Sequence, residues 1–257
     1  MSFFTALRFL TIIPLRFRSD DSPEEMGRST VYFPVVGLLI GGVLVGLNAL
    51  LGLFLPAAVS NVLLIVALAV ISGALHLDGF IDTCDGIAGH KPVEERWKAM
   101  RDSRAGAFGI VGVALLILVK YILLNSIPVN LMIAALLIMP IISRWAMVYA
   151  IVAYPYARQE GLGKAFKIGA NRSRLIVASI LTLLLVILSA WLGGITYYYF
   201  VGLVIMFVIW VIIILAAAYF KRKFTGLTGD TYGAINEIAE VGVLILISIF
   251  AFNGWLI

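Results

Sequence analysis

LLIVALAVISGALHLDGFIDTCDG, residues 63–86, decides what kind of protein this is. Its first part is a run of leucine, isoleucine, valine and alanine. Its second part carries His76 and three aspartates, Asp78, Asp82 and Asp85. An apolar run that ends in a knot of charge is the signature of a helix leaving a membrane. The rest of the chain has the same character. Of its 257 residues 62% are apolar and 13% are charged, against roughly 45–50% and about 25% in soluble domains. Several runs reach the roughly 20 apolar residues needed to cross a hydrocarbon core. The sequence therefore predicts an all-α, polytopic transmembrane bundle, one domain over residues 1–257.

Seven candidate spans are predicted, at about 31–55, 58–75, 106–124, 130–153, 175–193, 198–219 and 233–256. The segment before them, MSFFTALRFLTIIPLRF, is interrupted by Arg8 and Pro14 and shows no small-residue cleavage site. It reads as a short helix lying on the membrane or tucked into the bundle, not as a cleaved signal. Cys84 is the only cysteine, so an internal disulfide is excluded.

The charges sort by loop. Every lysine and arginine except Lys120 and Arg144 falls in four segments: residues 1–30, 91–104, 158–174 and 221–223. The turns near residues 56, 127 and 195 hold none. Positive charge marks the cytoplasmic side, which predicts a cytoplasmic N-terminus and a C-terminus on the far side. The acidic residues crowd the same face, so that face is expected to do the chemistry. The net charge of +5 fits this topology and anionic headgroups or substrates, and gives no support for nucleic-acid binding.

Asp78, Asp82 and Asp85 are spaced i, i+4, i+7, which on a helix puts all three on one face. Stacked carboxylates at a membrane edge repel one another, and a divalent cation is the natural neutraliser. Hard oxygen ligands favour Mg²⁺ or Mn²⁺ over zinc. His76 is a candidate base or orienting group, whereas His90 reads as a solvated loop residue. Mg²⁺ held by few carboxylates keeps positions open for water and phosphates, so a phosphate clamp should be near. RDSRAGAFG, residues 101–109, is the candidate: Arg101 and Arg104 flank Asp102 and Ser103 just before the third span. Arginine forks suit phosphate oxygens, and a helix N-terminus adds amide donors.

Three further polar islands remain. Arg144 lies inside the fourth span, where it is expected to bind phosphate or pair with Glu237 or Glu240. Residues 225–240, TGLTGDTYGAINEIAE, bring Asp230 and Thr231 to the start of the last span as candidate caps. Tyr32 and Phe33 read as interfacial aromatics.

Together these motifs resemble the cobalamin synthase (adenosylcobinamide-GDP ribazoletransferase) family. The residues that carry the likeness are His76-Leu77-Asp78-Gly79, Asp82-Thr83 and Asp85-Gly86; Met100, Asp102-Ser103-Arg104, Gly106-Ala107 and Gly109; Tyr32 to Gly37; Ser143-Arg144; and Thr228 to Ala234. Thr225 departs from the pattern, which has a second glycine there. The resemblance implies a Mg²⁺-dependent membrane transferase joining adenosylcobinamide-GDP to α-ribazole, or to its 5′-phosphate, with release of GMP. It implies Mg²⁺ on Asp78, Asp82 and Asp85, with Asp102 a further candidate ligand. Arg101, Asp102, Ser103, Arg104, Arg144, Asp230 and Glu237 are expected to contact substrate. The 5′-hydroxyl of α-ribazole is expected to attack, its proton going to an aspartate or His76. Homo-oligomerisation is left open.

Two other readings compete. CDP-alcohol phosphotransferases use a similar aspartate helix, but carry Ala-Arg where this chain has Asp82-Thr83. An ion-coupled transporter would exploit the charges at Lys120, Arg144, Glu237 and Glu240.

Overall fold

A computed structural model describes residues 2–14, 22–89 and 92–255. Arg16, Arg18, Asp20, Asp21, His90 and Lys91, which enter the charge pattern above, lie outside the described residues. The described chain is helical: α1 (Ser2–Leu10), α2 (Pro23–Ser29), α3 (Phe33–Leu51), α4 (Ala57–Ile71), α5 (Leu75–Ile87), α6 (Val93–Ala99), α7 (Ala107–Ser126), α8 (Met132–Ala153), α9 (Leu162–Gly169), α10 (Arg172–Leu192), α11 (Tyr198–Phe224) and α12 (Gly229–Phe252). Six segments are long and apolar enough to cross a membrane, and α4 with α5 makes a seventh if the bent pair counts as one span. The all-helical membrane bundle is as expected, with six or seven spans according to whether the bent pair crosses or re-enters.

The break has a local cause. Gly73 and Ala74 are both left-handed, at φ 61° and 54°, and the two helices meet at 89°. A left-handed alanine costs roughly 1–2 kcal/mol. The Ala74 amide is nonetheless satisfied by Ala69 O at 2.7 Å, and the Ala74 carbonyl takes the Asp78 amide at 2.9 Å. The turn swings the aspartates away from the axis of α4, so Asp78 is exposed and Asp82 and Asp85 are half-buried.

α8 is the central helix, with its residues buried from Ala134 through Val148. α3 lies directly on it because Gly37 and Gly41, four residues apart, present no side chain at the crossing. A Cβ on Gly41 would stand 2.7 Å from the Leu136 carbonyl oxygen, whereas one on Gly42 would meet nothing. Small residues at such spacing let membrane helices touch backbone to backbone. Gly41→Val is accordingly expected to lower the unfolding temperature in detergent by at least 5 °C, with Gly42→Val near wild type. Equal melting of the two variants would remove this crossing as a determinant of the fold.

α1 is tucked into the bundle, not laid on the membrane. Its Ala6 and Leu10 are fully buried, and the chain beyond it donates from Ile12 N to Ile71 O at 2.8 Å. Phe33 corrects an expectation: it is no interfacial aromatic but a buried core residue, stacked on Phe9 at 5.9 Å and edge-on to Phe166 at 5.6 Å.

Candidate active site

α5 and α12 cross at glycines. A Cβ on Gly79 would lie 2.7 Å from the Asp230 carbonyl oxygen, and one on Gly233 would lie 3.1 Å from that of His76. This contact gathers acids from two helices. Asp82 stands within the electrostatic field of Asp230 and Asp78, with Arg158 opposing them. Arg158 reaches Asp230 through Nη2 at 2.8 Å. It arrives there because the loop after α8 is knitted to the loop before α12. Leu227 N donates to Pro155 O and Ala157 N to Leu227 O, each at 2.8 Å. Asp230 is therefore not the helix cap that the sequence suggested. Thr228 caps α12 in a reciprocal box with Thr231, the two side-chain bonds being 3.2 and 2.8 Å. Thr225, which replaces an expected glycine, is left-handed at φ 63°; this is why a glycine is the natural residue there.

Asp85 turns the other way. Gly106 N donates to its Oδ2 at 2.7 Å and Gly109 N to its Oδ1 at 2.8 Å. Both carboxylate oxygens thus clasp the N-terminus of α7, satisfying amides that the helix cannot bond itself. The glycines are required: a Cβ on either would sit 2.5 Å from an Asp85 oxygen. Asp85, expected among the metal ligands, accepts from the start of α7 with both carboxylate oxygens and so holds that helix to α5. The amides at Gly106 and Gly109, expected to serve a phosphate, are already taken.

Arg101, Asp102, Ser103 and Arg104 form an exposed loop beside this clasp. Arg104 grips Asp102 in a fork, Nε to Oδ1 and Nη2 to Oδ2, both at 3.1 Å. The Arg104 side chain beside it holds the Asp102 carboxyl down at about 2. Asp102 thus orients Arg104 on this exposed loop. A cavity of about 340 Å³, lined by Asp85, Gly89, Asp102, Arg104 and Gly106 among others, opens here.

Arg144 takes the second of its two expected roles, pairing with an acid of the last span, and Glu237 joins the same buried network instead of lining the cavity. Arg144 is fully buried and its Nη1 pairs with Glu240 Oε1. Lys120 Nζ bridges Glu237 Oε2 and Glu240 Oε2, both at 2.5 Å. Asn236 Nδ2 adds a bond to Glu240 Oε1 at 3.1 Å. Two cations and two anions compensate one another inside the bundle, and neither Arg144 nor Glu237 lines the cavity at the α5–α12 crossing.

That cavity, about 200 Å³, is lined by His76, Asp78, Tyr156, Arg158, Asp230 and Tyr232, with Phe9 and Phe166. Burial pushes the Tyr156 phenol up, with the Arg158 guanidinium opposing. His76 is only 1% exposed, and neither ring nitrogen has a hydrogen-bond partner among the described residues.

Comparison with known proteins places the chain in a family. The family described as cobalamin-5-phosphate synthase matches residues 2–248. A relative from Geotalea daltonii (strain DSM 22248 / JCM 15807 / FRC-32), named adenosylcobinamide-GDP ribazoletransferase, is 38% identical over 252 residues, 98% of each chain. A protein of the same name from Roseiflexus sp. (strain RS-1) is 36% identical over 246 residues, covering 96% of this chain and 88% of its own. The chain belongs to the cobalamin-5-phosphate synthase family. No solved structure is significantly similar to it.

For a cobalamin-5-phosphate synthase family member, the unexpected residues are Arg158 and Tyr156. Residues 158–172, RQEGLGKAFKIGANR, read in the sequence either as a basic, glycine-bearing loop suited to an anionic ligand or as a plain connector, and neither reading singles out Arg158 or Tyr156. Among the described residues no three histidine, cysteine, aspartate or glutamate side chains form a ready metal cage. The donor chemistry still suits Mg²⁺, which takes one or two carboxylates and fills its remaining positions with water and phosphate oxygens. Asp78, Asp82 and Asp230 supply hard oxygens only, and their mutual repulsion favours a cation.

Proposed function

We propose that this chain is a Mg²⁺-dependent transferase that joins adenosylcobinamide-GDP to α-ribazole, or to its 5′-phosphate, and releases GMP. The observation that carries the reading is the convergence of Asp78 and Asp82 from α5 with Asp230 from α12 and Arg158. Family membership supplies the reaction class. The loop charge bias supports a cytoplasmic membrane location with this site facing the cytoplasm.

In the proposed reaction, an acceptor hydroxyl oxygen bonds to the phosphorus that carries the cobinamide side. The phosphorus–oxygen bond to GMP breaks, and GMP leaves with the bond pair. A product bearing a 5-phosphate implies an acceptor whose 5′ oxygen is already esterified. The nucleophile is then another ribose hydroxyl, which corrects the 5′-hydroxyl expectation. Asp78, the exposed acid lining the aromatic cavity, takes the hydroxyl proton. Asp82 and Asp230, with Asp78 beside them, would hold Mg²⁺. The metal would neutralise charge on the pyrophosphate oxygens. Arg104, oriented by Asp102, and Arg101 on the same loop bind the donor phosphates. Asp85 keeps that loop in place through α7.

The transporter reading loses its support, because Lys120, Arg144, Glu237 and Glu240 neutralise one another. The test is GMP release by purified protein in phospholipid vesicles given both substrates. Release is expected with Mg²⁺, to fall at least a hundredfold in EDTA, and to return when Mg²⁺ is restored. Undiminished release in EDTA would overturn the metal requirement, and no release under any divalent ion would overturn the transferase.

A further inference from the structure

α5 borders two cavities, one near each end. The smaller, about 200 Å³, includes His76, Asp78 and Gly79. The larger, about 340 Å³, includes Asp85, Ala88 and Gly89. Asp82 lies between them on the helix, about 6 Å along the axis from Asp78 and about 4.5 Å from Asp85. An enzyme that joins two substrates needs two sites flanking the reacting phosphorus.

We infer that the smaller cavity is the acceptor site and seats the planar base of the nucleoside, while the donor's pyrophosphate lies on the Asp85–Arg104 side. This inference rests on the transferase reading and divides its two substrates between the two cavities.

Three observations carry the assignment. The small cavity is walled by two aromatic pairs, Tyr156 with Tyr232 at 6.2 Å and Phe9 with Phe166 at 4.4 Å between ring centroids. Aromatic side chains are the usual seat for a flat heterocycle. Two of its lining residues carry buried polar atoms with no hydrogen-bond partner among the described residues: both ring nitrogens of His76 and the Tyr232 hydroxyl. A buried polar atom left unbonded is costly, and a small side-chain rotation would bring one of these donors to the free ring nitrogen of a base. Charge and size give the third observation. Arg158 is held by Asp230, and Asp78, the exposed acid of this lining, is placed to accept the proton of an acceptor hydroxyl. About 200 Å³ admits a bicyclic base and excludes a corrin ring.

The test separates the two Michaelis constants in full-length protein reconstituted in phospholipid nanodiscs. Tyr156→Leu and Tyr232→Phe are compared with Arg104→Ala. The tyrosine variants are expected to raise the KM for α-ribazole, roughly tenfold for Tyr156→Leu, with the KM for adenosylcobinamide-GDP within twofold of wild type. Arg104→Ala should do the reverse. Tyr232→Phe removes one oxygen only and keeps the ring, so folding is not at issue. Calorimetric binding of α-ribazole without donor is measured alongside. Tyrosine variants that raise the donor KM, or leave α-ribazole binding unchanged, overturn the inference. If wild type binds α-ribazole through Tyr156 yet never releases GMP, the acceptor site stands and the transferase reading falls.

Discussion

Asp82→Asn is expected to reduce GMP release by roughly a thousandfold while making the folded protein more stable. Both effects follow from one environment. Asp82 is half-buried and lies in the field of Asp230, Asp78 and Asp85, with Arg158 opposing them. Removing its charge relieves that repulsion, so the unfolding temperature without Mg²⁺ should rise by roughly 2–4 °C per kcal/mol regained. The same change removes the central carboxylate of the proposed metal set, so stabilisation of the variant by added Mg²⁺ should be lost. Like-charge crowding that costs stability and persists is a mark of a working site. Near-normal GMP release from Asp82→Asn would move the chemistry off α5. Asp85→Asn should behave differently: one of its clasping bonds to α7 weakens, so stability falls and no metal response is lost.

Lys120→Met is expected to destabilise the protein by about 3–5 kcal/mol, because it strands two buried carboxylates beside one remaining arginine. Lys120 holds Glu237 and Glu240 at 2.5 Å each, and among the described residues the acid paired with Arg144 is Glu240. Adding Glu237→Gln to Lys120→Met removes the stranded charge and should recover most of the loss. Thermal unfolding in detergent, followed by circular dichroism across the single and double variants, measures the coupling. Additive losses would show that the network is not the closed unit described here. The network joins α7, α8 and α12, so it fixes the rotation of α12. Asp230 sits two turns earlier on that helix, which makes the buried pairs a scaffold for the site and not part of it.

Much of this was legible in the sequence because membranes impose simple rules. Long apolar runs have few ways to satisfy their backbone except as helices, and so the bundle and its polar end could be read directly. The aspartate register on α5 is likewise local, being a matter of helical periodicity. Partners were not legible. Asp78, Asp82 and Asp85 have the same spacing arithmetic, yet Asp85 clasps α7 while the other two face α12. Asp230 looked like a cap, and a neighbouring threonine took that place.

By itself, then, the sequence determined the all-helical membrane class, the position of the acid cluster and the family, since each is written in contiguous residues. The tertiary structure alone decided which acids meet. It set Arg158 against Asp230 through a two-bond join between distant loops. It paired Lys120 with acids more than a hundred residues away. It also opened an aromatic cavity from α1, α5, α9 and α12. These are choices among equally charged or equally apolar side chains. Only the close approach of backbones at glycines such as Gly79 and Gly233 discriminates between them, because packing distance, not composition, sets which pairs can touch.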